Sequence, residues 1–145
     1  MDDYLELGSL LEAHLKAGMP DSPVQQLTNL GEIDKIAVRG HLICIAFASE
    51  GQNSSASPYD ATITQRWLTV VSVQTAGRAL ESTLANTLAG PLLARLGKLV
   101  QGQRFPGFTP LQRIPPPAPR YLAGFAHFAL AWETSITLVS EHEVN

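Results

Sequence analysis

The chain has 145 residues, 45% of them hydrophobic but only 16% charged, and a net charge of −3. That length suits one domain burying roughly 70% of its unfolded surface, and with no basic cluster it argues against a groove for nucleic acid. Charge below the usual quarter leaves little to cover the outside, so the surface is expected either to meet a partner or to dissolve on Ser, Thr, Gln and Asn.

The chain opens on Asp2 and Asp3 rather than a basic, then apolar, leader, so no secretory signal is expected. No apolar run approaches ~18 residues, so no membrane span is expected either. Tyr4, Leu7, Leu10, Leu11, His14 and Leu15 recur at helical spacing and predict a helix over residues 2–17, with acidic groups at its positive end. Gly18 and Pro20 close it. Ser22 and Pro23 then read as an N-cap and first helical position, which predicts a second, short helix from Val24 to Leu30.

From Ile33 the period becomes two, interrupted at Arg39-Gly40-His41 by a turn or a bulge. Leu42 to Phe47 is apolar on both faces and predicts a central strand. Cys44, the one cysteine, sits inside it and reads as a small buried hydrophobe in a reducing compartment. Residues 49–60 carry Gly51, Asn53, Ser54, Ser55, Ser57 and Pro58 and predict a long flexible loop, either a free tip or a binding arm.

Residues 62–75 are β-branched and aromatic, a second central strand. Trp67, Thr69, Val71 and Val73 share one face; Leu68, Val70, Ser72 and Gln74 share the other. Leu80, Leu84, Leu88, Leu92, Leu96 and Leu99 then mark a long amphipathic helix. Its Leu stripe keeps phase across Gly90-Pro91, which predicts one kinked helix rather than two. The Leu face and Trp67 are expected to bury each other. An extended, proline-rich connector over residues 105–119 follows, with a short strand at Leu111–Ile114. In the last β region, residues 121–139, the set Ala126, Phe128, Leu130, Trp132, Thr134, Ile136 and Leu138 is the more apolar and is expected to face the core. Glu141, His142 and Glu143 read as part of a solvated tail.

No phosphate loop, dinucleotide fingerprint or nucleophile elbow is present in the sequence. His14, His41, His127 and His142 show no metal-ligand spacing, and one cysteine makes no zinc cluster. His127 and Glu133 share a strand face at opposite ends of a long span, whereas His41 and Cys44, three apart, point to opposite faces. No cofactor and no catalytic site is therefore expected.

The assembled order is helix, strands, a Trp-bearing strand, a long Leu-rich helix, a proline-rich passage and a final aromatic strand. It resembles the tail terminator (tail-completion) proteins of long-tailed bacteriophages, including those of Mu-like prophages. The likeness is carried by Gln65-Arg66-Trp67-Leu68-Thr69-Val70-Val71-Ser72-Val73, the Leu80–Leu99 helix, Gly107-Phe108-Thr109-Pro110-Leu111 and Ala129-Leu130-Ala131-Trp132-Glu133-Thr134.

With the strand and helix patterns, the resemblance implies one α+β domain: a mixed, mostly antiparallel sheet with the Leu-rich helix on one face and an N-terminal helix. It implies a ring of copies, six in number, docked on the tail tube protein and presenting a face to the head-joining proteins. The virion tail, after assembly in the bacterial cytoplasm, is the implied location. Candidate contacts are Asn53, Ser54, Ser55 and Tyr59 of the loop, Arg66 of the strand, and Glu141, His142 and Glu143 of the tail. The competing expectations are another minor tail or connector protein, and a small enzyme or ligand-binding domain with a pocket between helix and sheet.

Overall fold

The computed structural model describes residues 2–28, 32, 40–52, 57–75, 81–122 and 124–142. Helices α1 (Glu6–Gly18) and α2 (Glu81–Val100) accompany strands β1 (Val24–Gln26), β2 (His41–Gln52), β3 (Asp60–Gln74), β4 (Gln112–Ile114), β5 (Arg120–Leu122) and β6 (Phe125–Val139). The sheet order is β1-β2-β3-β6-β4, with β5 also on β6. Only β1–β2 is parallel; the other pairs are antiparallel. The fold is α+β with an N-terminal helix and a mixed sheet.

Strand periodicity decides the layers. Ile43, Ile45, Trp67, Val71, Val73, Ala126, Phe128, Leu130, Trp132 and Ile136 share one face and form a core with Leu7, Leu11 and Leu15 of α1 and Ala85, Ala89, Leu96 and Val100 of α2. The opposite face gathers Leu42, Cys44, Ala46, Leu68, Val70 and Ala131 beneath Leu27 and Ile114. The apolar set expected of β6 thus does face the helices. Buried indoles find partners there: Trp132 Nε1 donates to Thr69 Oγ1 at 2.9 Å, and Trp67 Nε1 to Gln65 Oε1 at 3.0 Å. Gln65 in turn donates to the Tyr4 carbonyl at 2.7 Å, so a fully buried amide is satisfied on both sides.

The segment expected as a short helix from Val24 is instead strand β1, registered on Ile43–Ile45. Ile43 N–H bonds the Pro23 carbonyl at 2.9 Å and Leu27 N–H the Ile45 carbonyl at 2.8 Å. The open edge of β2 thus supplies the backbone partners that a helix of this length would have to find within itself. The 49–60 loop is also shorter than expected: β2 runs to Gln52 and β3 begins at Asp60. The 33–39 stretch, Leu80 and residues 53–56 lie outside the described residues.

Helix α2 does continue through Pro91 as one element and is followed by Gly102 at φ 77°, a left-handed position that suits glycine. Its Leu stripe is its buried face only in the second half, where Leu96 is buried and Leu92 and Leu99 pack against the core. Leu84 is 40% and Leu88 43% exposed, whereas Ala85, Ala89 and Leu96 are fully buried. Small alanines bring the first half of the helix onto the sheet, and Leu84 and Leu88, one step round, fall on its flank. Trp67 packs by α1 instead: a Cβ added at Gly8 would lie 3.2 Å from Trp67 Cζ3. Phe47 stacks on it edge-to-face, 5.4 Å between centroids.

Candidate functional site

The sequence-expected contacts fall in two places. Tyr59 lies half-buried in the turn before β3; its carbonyl accepts from Ser140 N–H, which ties it to the exposed Glu141 and His142 at the end of β6. Arg66 is farther along β3, where its Nε meets Glu133 Oε2 at 3.3 Å across the β3–β6 pair. The pair is partly exposed, a geometry worth ~0–1 kcal/mol, so it leaves the arginine able to exchange partners. Asn53, Ser54, Ser55 and Glu143 lie outside the described residues.

Tyr59, Glu141 and His142 sit at the far end of an extension that the sequence pattern had not made visible. β1 covers only Ile43–Ile45 of β2, and β4 covers only Ala131–Glu133 of β6. The three central strands outrun both, leaving residues 49–52, 60–66 and 134–139 paired with one another. Among the described residues the outer β6 stretch is engaged sideways at its start, where Thr109 bonds the Ser135 backbone and the Thr134 hydroxyl.

Three of the four histidines are bonded within the fold. His14 Nε2 lies 2.8 Å from the Leu99 carbonyl, joining α1 to α2, and His41 Nε2 lies 2.8 Å from Ser22 Oγ. His127 Nδ1 lies 2.7 Å from Ser72 Oγ on the face opposite α1 and α2. A serine beside an imidazole is the start of a nucleophile pair, but Ser72 is 1% exposed, so a substrate cannot reach its oxygen. Burial also pushes the Cys44 thiol up to about 12, which keeps it protonated and unreactive. Among the described residues no group of three His, Cys, Asp or Glu could hold a metal ion, and no helix is long and apolar enough to cross a membrane.

A cavity of about 240 Å³ opens beside His127, between Leu68, Val70 and Ala129 of the sheet and Pro117 and Ala118 of the connector. A shallower groove of about 420 Å³ runs between α2 and Arg113 of β4. Neither brings together a nucleophile, a base and an oxyanion donor. Comparison with family models and with curated proteins found no match.

Proposed function

We propose that this chain is a structural protein of a phage or prophage tail, a terminator whose copies close into a ring on the end of the tail tube. The observation that carries the reading is the three-stranded extension, with no further strand on either flank among the described residues. A strand edge offers unpaired backbone donors and acceptors to a neighbour, and two different open edges on one subunit are what a head-to-tail ring uses. The resemblance to tail terminators supplies the tube protein and the head-joining proteins as partners, six as the ring number, and the virion tail as the location. Such assembly works by binding, with no turnover and no cofactor.

The test adds the purified protein to tail tube protein from the same phage or prophage while tubes are growing. Tubes that stop lengthening and carry a ring at one end support the reading. Tubes that grow unchecked with the protein in excess, and none bound at their ends, exclude it.

A further inference from the structure

Hydrogen-bond parity identifies the free groups on each flank of the extension. Gln74 N–H bonds the Gly40 carbonyl, so even-numbered residues of β3 turn their backbone groups toward β2. Register then makes Ser49 and Gly51, opposite Arg66 and Thr64, the bonded residues of β2 beyond the bulge at Phe47/Ser49. Glu50 and Gln52 therefore aim their N–H and C=O outward. On the other flank, Ser140 N–H bonds the Tyr59 carbonyl, so even residues of β6 turn toward β3. Thr137 and Val139 aim outward, and Val139 is 74% exposed. None of these four outward backbone pairs is hydrogen-bonded to backbone among the described residues.

Charge matches the two flanks. Glu50 is exposed on the β2 edge, and Arg104 is exposed in the turn beside Ser135 and Thr137 on the β6 side. Neither forms an ion pair among the described residues. Both β2 and β6 run opposite to β3, so they point the same way, and a copy rotated about a ring axis keeps that direction.

We propose that the β6 edge at Thr137 and Val139 of one copy adds in parallel to the β2 edge at Glu50 and Gln52 of the next, with Glu50 facing Arg104 across the join. This rests on the ring reading and names its subunit contact. Each copy would contribute three strands to a continuous sheet, and the natural twist between strands turns it toward closure. Both flanks are used once per copy, so closure leaves no edge open for indefinite growth.

Proline tests the edge directly. The Val139 N–H bonds nothing among the described residues of the subunit, so Val139→Pro removes a donor that the neighbour needs. Self-association is followed by sedimentation velocity, alone and with tube protein, and folding by the thermal melt. We expect Val139→Pro to weaken association at least tenfold with the melt retained. Glu50→Arg and Arg104→Glu should each weaken it several-fold, and their combination should restore it to within twofold. The Leu84→Ser/Leu88→Ser double variant should associate as the parent does. A folded Val139→Pro protein that associates normally, or a charge swap that does not rescue, overturns the edge contact while leaving the ring standing. Loss of association in the Leu84→Ser/Leu88→Ser variant instead would move the contact to α2. A parent chain that stays monomeric in both conditions removes the ring and the edge contact together.

Discussion

Two leucines on one helix differ in energy because of their angular position. Leu96 is fully buried against the sheet and Leu88 is 43% exposed, although both belong to the stripe read from the sequence. Leu96→Ala should lower unfolding stability by ~2–5 kcal/mol, and Leu88→Ala by less than about 0.5 kcal/mol; chemical denaturation midpoints measure both, and equal losses would place Leu88 in the core. Cys44 gives a pH signature. Burial raises its thiol from 9.0 to about 12, so above pH 9 the unfolded chain releases a proton that the fold retains. The stability linked to this group is whole below pH 9 and falls as pH rises toward 12, by up to about 1.4 kcal/mol per pH unit. The parent minus Cys44→Ala difference in stability, measured from pH 8 to 11, should show that fall; a flat difference would mean an accessible thiol.

At the scale of elements, α1, β3, β6 and the continuity of α2 were legible because each carries a long, regular pattern. Trp67, Val71 and Val73 alternate cleanly with Leu68 and Val70, and tertiary structure leaves that alternation in place. β1 was not legible: three residues carry no period, and Pro23 before Val24 suits a helix start until the edge of β2 competes for the same backbone groups. The phase of α2 misled for another reason. Hydrophobicity ranks Leu above Ala, but close approach to a sheet selects Ala85 and Ala89. The same helix holds Gly90, where an added Cβ would meet nothing within 4 Å. Gly90→Ala should therefore raise stability, by less than the about 0.5–1 kcal/mol of an ordinary helix position because Pro91 crowds the Cβ of the residue before it. Gly18→Ala should lower it, because its Cβ would fall 2.7 Å from Leu99 Cδ2. Thermal melts of the two variants should shift in opposite directions, and a shared direction would contradict the helix packing described.

For the whole molecule, the candidate contacts were legible only in part. Tyr59, Glu141 and His142 were singled out by loop and tail composition, and they lie together at the end of the extension. Glu50, Thr137 and Val139 carried no signal, because an open edge depends on where β1 and β4 stop, and strand partners are not written locally in the chain. The low charge fraction pointed to a covered surface without locating it. The central claim is that copies close into a ring, and the mass of the assembled species tests it most directly. Measured by native mass spectrometry over a range of protein concentrations, with and without tube protein, assembly should give one discrete species of six chains that grows in amount and not in size. A continuous ladder lengthening with concentration, or a monomer throughout, would contradict it.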